Sequence, residues 1–158
     1  NALNNLPTVK IDHNISLEEF DSFSHELHEN VKTLLILNEK FNEVLSHEGV
    51  VSIVSWSDEG GHVSNTWNSY IVLVDGNKIL IPAAGMRKTE KNTVKNPNVK
   101  LTLGAKEVMG YKYPGTGFLV EGTAEFVKSG EQFDMMKEKF PFLSRVLEVT
   151  VTSAKQTL

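Results

Sequence analysis

Two stretches carry side chains that could grip a polar, aromatic ligand. The first is Asn65-Thr66-Trp67-Asn68-Ser69-Tyr70, where carboxamides and hydroxyls alternate with an indole and a phenol. Asn65 and Asn68 each offer donors and an acceptor, Thr66 and Ser69 add hydroxyls, and Trp67 and Tyr70 add flat faces. The second is Pro82-Ala83-Ala84-Gly85-Met86-Arg87-Lys88-Thr89-Glu90. Gly85 permits a turn that other residues resist, and Lys88 and Thr89 follow where the chain enters a helix. A helix N-terminus with free N–H groups, a hydroxyl and an ammonium suits a phosphate, with Arg87 a weaker further donor. Each stretch alone has a plainer reading. Taken alone, the first reads more readily as a half-exposed strand, and the second as a solvated basic turn opening a surface helix, which Glu90 and Lys91 fit.

Together the stretches match the two ends of flavin mononucleotide (FMN). Its ring system needs donors and acceptors at one edge, and its phosphate, with close to two negative charges, needs N–H, hydroxyl and cationic partners. Other chemistries fit poorly. Gly115-Thr116-Gly117 opens like a dinucleotide fingerprint, but Val120 stands at the third glycine position and a strand follows. His25 and His28, with Glu26 and Glu29, lack the spacing and further ligands of a zinc site. His47 and His62 have no triad context, and no paired carboxylates stand out.

The composition narrows the classes further. A chain of 158 residues with 40% hydrophobic and 23% charged residues supports one domain with a proper core. A formal net charge of −4 argues against a nucleic-acid footprint. No apolar run approaches membrane-spanning length, and the first residues do not resemble a signal peptide. The absence of cysteine removes disulfides, thiolate metal sites and thiol nucleophiles, so redox chemistry here would need an organic cofactor. These features lead us to expect a cytoplasmic protein.

These stretches must be positioned by the rest of the chain. Residues 1–14 read as an irregular lead-in, and Ser16 with Glu19 as a capping box. Leu17, Phe20, Phe23, Leu27, Val31, Leu34 and Leu35 then form a helical stripe. Helical character continues through Phe41, Val44 and Leu45 and should stop at Gly49. Beyond it the period changes to that of strands: Val50–Trp56, one or two strands within His62–Val74, Lys78–Ile81 after an Asp75-Gly76 hairpin signal, Val99–Leu103, Phe118–Val127 and Val146–Thr152. Gly122 suggests a bulge, and Tyr111–Gly117 a loop. Helices are expected over Arg87–Asn96 and from Glu131 to Phe140. Closely spaced strands with few long crossovers predict an antiparallel barrel.

Several blocks in register give this pattern a resemblance. Glu48-Gly49-Val50-Val51, Asn65–Tyr70, Asp75-Gly76-Asn77, Gly85-Met86, Lys88-Thr89-Glu90, Pro114–Leu119 and Gln156-Thr157-Leu158 resemble the pyridoxamine 5′-phosphate oxidase-like FMN-binding split-barrel family, above all its small members from sulfate-reducing bacteria. The resemblance covers about residues 41–158. It implies a mainly β fold with helices, a six-stranded antiparallel split β-barrel, with residues 1–40 as an N-terminal helical arm that those small members lack. It implies FMN as cofactor and a homodimer with flavin at the subunit boundary. Asn65, Thr66, Trp67, Asn68 and Ser69 would line the flavin and ribityl chain, Pro82, Ala83, Gly85 and Met86 the route onward, and Lys88 with Thr89 the phosphate. Glu48 would bias the flavin potential, and Leu158 would cover the partner's ring. Phe142 replaces a family tryptophan, and no C-terminal arginine and histidine cluster is present to grip pyridoxamine phosphate, so pyridoxamine oxidation is not expected. The implied role is electron transfer with a small redox protein. The alternatives are a reductase or oxidase of a small substrate, and a flavin sensor or store.

Overall fold

The computed structural model describes residues 39–158, together with positions 18, 21–22, 24–27 and 37. The chain divides into two compact units, Asn1–Lys32 and Thr33–Leu158. In the first unit, positions 18, 21–22 and 24–27 are helical and exposed. Of the expected apolar stripe only Leu27 is described, and the capping box at Ser16 and Glu19 lies outside the described residues.

Among its described residues the second unit is a sheet with three bounded helices. Its elements run α1 (Lys40–Leu45), β1 (Val50–Ser57), β2 (Gly60–Trp67), a 3-10 turn (Asn68–Tyr70), β3 (Val72–Val74), β4 (Lys78–Ala83), α2 (Arg87–Lys95), β5 (Asn98–Met109), β6 (Pro114–Val127), α3 (Glu131–Lys139) and β7 (Arg145–Gln156). Every strand pair is antiparallel, in the order β2-β1-β5-β6-β7-β4-β3. The two edge strands, β2 and β3, are therefore successive in the chain. A flat sheet of this width would hold its edges about 29 Å apart, whereas the link from Trp67 to Val72 spans at most about 18 Å. The sheet must curl until its edges approach, a barrel split between β2 and β3 and bridged by Asn68–Tyr70. Seven strands are present where six were expected, because the 3-10 turn divides His62–Val74 in two.

The core fills the curled sheet. Ile53, Leu101, Phe118, Val120, Ile79, Ile81, Leu147 and Val149 are buried together, joined by Leu37, Phe41 and Val44. Phe41 meets Phe118 edge-on at 5.1 Å between ring centres, which packs α1 onto the core. Leu37 belongs to this core, so the second unit starts ahead of residue 41. A smaller cluster of Leu80, Met136, Leu143 and Val146 seats α3.

Three local readings change in the structure. Helix α1 ends at Leu45, before Gly49, with Ser46 Oγ donating to the Glu43 carbonyl at 2.6 Å. Gly49 instead allows a close approach: a Cβ there would lie 2.9 Å from the Gly104 carbonyl oxygen. Pro114–Gly117 belongs to β6 and not to a loop, since Gly117 faces Gly104 so closely that a Cβ would meet the Leu103 oxygen at 2.7 Å. Strand β5 likewise runs on to Met109. The Asp75-Gly76 hairpin forms with both residues at positive φ, and the register shifts at Gly122 as its expected bulge requires.

Candidate functional site

Period-two alternation splits the Asn65–Ser69 stretch between two faces of the sheet. Ser64 and Thr66 turn inward, Thr66 being buried, while Asn65 and Trp67 turn outward, Trp67 being 47% exposed. Asn65 accepts a hydrogen bond from Ser52 Oγ at 3.2 Å. Asn68 is a buried strut: its Nδ2 donates to the His47 carbonyl at 2.9 Å and to the Gly104 carbonyl at 3.1 Å. Its Oδ1 is buried with no partner among the described residues. Ser69 is exposed and donates to Glu48 through both its hydroxyl, at 2.7 Å, and its N–H, at 3.2 Å. Those two bonds, the hydroxyl's foremost, hold the Glu48 carboxyl below its usual range, so it stays ionised beside Ser69.

The second stretch forms the entry to α2. Pro82 and Ala83 are buried in β4, beyond Leu80 where the β3 ladder stops, an open edge that tolerates proline. Gly85 is exposed, and Met86 is left-handed at φ 58° where it caps the helix without a side-chain bond. The first helical bond runs from Glu90 N–H to the Met86 carbonyl, so Arg87, Lys88 and Thr89 have N–H groups without intrahelical acceptors. Lys88 is partly exposed, and its Nζ donates to Glu59 Oε2 at 3.2 Å. Thr89 is wholly buried, with its Oγ1 2.9 Å from Ser64 Oγ.

That Ser64–Thr89 contact brings the two stretches together, one residue before Asn65 on β2 and in the first turn of α2. Helix α2 lies on the sheet through polar side chains. Thr89, Asn92 and Thr93 are buried, Asn92 Nδ2 donates to buried Ser55 Oγ at 3.1 Å, and Val94 is left 82% exposed. Leu158 sits elsewhere, 67% exposed, in an open pocket of about 400 Å³ with Tyr111, Tyr113, Pro114 and Gly115. Its carbonyl oxygen accepts from Thr116 Oγ1 at 2.9 Å.

Sequence reading missed three residues: Ser64, Glu59 and Arg145. Alternation with Thr66 could have placed Ser64 inward. Glu59 lies in the β1–β2 turn, where an acidic residue is ordinary, and Arg145 looks like a basic flank to an apolar strand. Glu59 is held below its usual carboxyl range by the Lys88 hydrogen bond first, then by the charges of Lys91 and Lys95. Its contacts with α2 therefore stabilise the fold above the unfolded carboxyl pKa and are lost as pH falls through the lowered folded value. Among the described residues, no group of three or more histidines, cysteines, aspartates or glutamates could hold a metal ion.

An antiparallel split barrel with a polar strand edge beside an uncapped helix N-terminus defines an architectural class, and sequence comparison defines the family. The model of the pyridoxamine 5′-phosphate oxidase family matches residues 37–158, and the chain belongs to that family. An FMN-binding protein from Nitratidesulfovibrio vulgaris (strain DSM 19637 / Miyazaki F) is 46% identical over 118 residues, covering 75% of this chain and 96% of that one. Among solved structures, an FMN-binding protein from Syntrophomonas wolfei subsp. wolfei superposes with a TM-score of 0.63 at 15% identity, covering 90% of this chain and 97% of that one. A variant of HupZ from Group A Streptococcus gives a TM-score of 0.62 at 13% identity, covering 75% of this chain and 98% of that one. Both superpositions bear on the fold alone.

Proposed function

We propose that this chain binds FMN and carries electrons. The observation that supports it most is the Ser64–Thr89 contact, which sets an uncapped helix N-terminus bearing Lys88 against the strand that bears Thr66 and Trp67. The donor set suits the cofactor. Lys88 and the N–H groups of Arg87 and Lys88 provide for a phosphate dianion. Ser69 offers a hydroxyl for the ribityl chain and the exposed Trp67 a flat apolar face for the ring, while Thr66, buried on the opposite face of β2 from Trp67, supports that strand from within. Gly85 and Met86 shape the wall between these points, while Pro82 and Ala83 are buried in β4 and Asn65 turns outward. The 46% identity to a protein named for FMN binding supports the same reading.

When bound, FMN supplies the redox chemistry, and the protein supplies binding, orientation and potential. Glu48 is the potential-setting group in this reading. An ionised carboxylate disfavours the added negative charge of reduced flavin, so Glu48→Gln should raise the midpoint potential, which a dithionite titration would read. The Ser69 tether is present above the unfolded carboxyl pKa and is lost as pH falls through the lowered folded value. Flavin reduction takes up protons, so both potentials climb at acid pH; that of the wild type should climb more steeply, and the gap to the variant should close as Glu48 is neutralised.

Glu59 works against the cofactor. It occupies Lys88 at 3.2 Å, so a phosphate must displace it or share the cation. Glu59→Gln should tighten FMN binding by about threefold, the modest value an exposed ion pair allows, and calorimetric titration would show it.

The exposed Trp67, Tyr111, Tyr113 and Leu158 suit a second copy of the chain, and light scattering would test for the dimer. Adding FMN to the apoprotein tests the cofactor reading directly. A yellow complex that bleaches with dithionite, exchanges electrons with a small redox protein and does not turn over NADH or NADPH supports the carrier. Steady turnover with either nucleotide would make it a reductase, and colourless protein after excess FMN would end the reading.

A further inference from the structure

We propose that Arg145 is the positioning residue of the turn that presents α2 to the phosphate, an inference that rests on the FMN reading above. Arg145 opens β7, pairs with Ala83 of β4 and is only 2% exposed. Its Nη2 donates to the Ala84 carbonyl at 3.2 Å and also to the Gly85 carbonyl. Its Nη1 donates to Glu90 Oε2 at 2.5 Å, its Nε to Ser144 Oγ at 3.4 Å, and the guanidinium carbon lies 5.2 Å from the centre of the Phe126 ring. The fork is spent on the chain itself, so Arg145 acts through the turn and not by touching an anion.

The location of those carbonyls makes the assignment. Strand β4 ends at Ala83 and helix α2 begins at Arg87, so Ala84 and Gly85 belong to neither ladder. The next residue, Met86, holds the left-handed conformation that side chains resist, and it fixes the direction in which the first N–H groups of α2 point. One guanidinium ties both carbonyls to Glu90, in the first turn of the same helix. Ser144 adds a second hold, its N–H and hydroxyl donating to the Ala83 carbonyl at 3.0 and 3.2 Å. If stability alone mattered, apolar residues could replace a buried ion pair at little loss. A planar fork is needed where two carbonyls and a carboxylate must keep a fixed relation.

The test compares FMN with riboflavin, which shares the ring and ribityl chain but lacks the phosphate. Apoprotein of the wild type, Arg145→Met and Arg145→Lys is titrated with each ligand by flavin fluorescence quenching. Arg145→Met should weaken FMN about tenfold or more, the scale of one lost charge-assisted hydrogen bond, and leave riboflavin unchanged. Arg145→Lys keeps the charge but not the fork, and should fall between. Equal losses for both ligands, or no loss for either, would overturn the proposal, as would full rescue by lysine. Should Arg145→Met fail to fold, Ser144→Ala with Arg145→Lys carries the same comparison: a phosphate-selective loss supports the proposal, and an unselective loss or none overturns it. A wild type that binds neither ligand defeats the FMN reading itself, an outcome distinct from variants that bind as the wild type does.

Discussion

Replacing Lys88 and Thr89 together with alanine should lower FMN affinity by about a hundredfold while the apoprotein keeps its fold. The two residues contribute differently. Lys88 supplies a charge-assisted hydrogen bond, about 1.5–3 kcal/mol in general, and its partial exposure argues for the lower end. Thr89 is fully buried and shares a hydrogen bond with Ser64, so its loss loosens α2 from β2 for about 1 kcal/mol. The sum is about 2.5 kcal/mol, a little under the stated hundredfold. The single variants separate the causes. Lys88→Ala should weaken FMN and spare riboflavin, whereas Thr89→Ser, which keeps the hydroxyl, should bind nearly as the wild type does. Equilibrium dialysis with each flavin reads both results. A double variant that retained flavin undiminished would move the phosphate to another part of the surface.

The second large effect concerns stability. Asn68→Ala should cost about 2–4 kcal/mol, read as a lower urea midpoint with an unchanged slope. Its Nδ2 serves two main-chain carbonyls, His47 after α1 and Gly104 in β5, and so fastens the turn across the barrel split to both. Removing the donor strands both carbonyls. The side chain is 1% exposed, and a Cβ built on Gly49 would lie 3.0 Å from that nitrogen, so the surroundings are close-packed. Asn68→Asp has nearly the same shape but no donor, and should be at least as damaging. If Asp were tolerated while Ala was not, packing and not hydrogen bonding would hold the turn.

Much of this arrangement was legible in the sequence because its signals are local. Asp75-Gly76 announces a hairpin, Gly122 a bulge, and the β-branched runs after Gly49 a sheet, each through backbone preferences acting within a few residues. The strand count was less legible, since Asn68–Tyr70 interrupts a run whose composition does not change. Pro114–Gly117 looked like a loop because a proline and two glycines surround Thr116, yet the strand needs Gly117 for its close approach to Gly104. The candidate site was legible in the placement of Trp67, exposed by alternation, and of Lys88, at the start of α2, both local features. It was not legible where chemistry depends on partners distant in the chain. Arg145 lies 55 residues from Glu90, and Ser64 lies 25 from Thr89. No period or spacing in the sequence links either pair.

Helix α2 has a further consequence. Water competes well for hydroxyl and carboxamide contacts, and poorly for a greasy interface. A helix docked through Thr89, Asn92 and Thr93, with its valine outermost, gains little from the hydrophobic effect, so directed contacts such as the Arg145–Glu90 pair must keep it seated. An anion lodged at its tip would then act as a latch, binding only the seated form and slowing its release. Escape of the cofactor would be timed by the lifting of one helix, which Glu59 helps to keep seated through its three lysines.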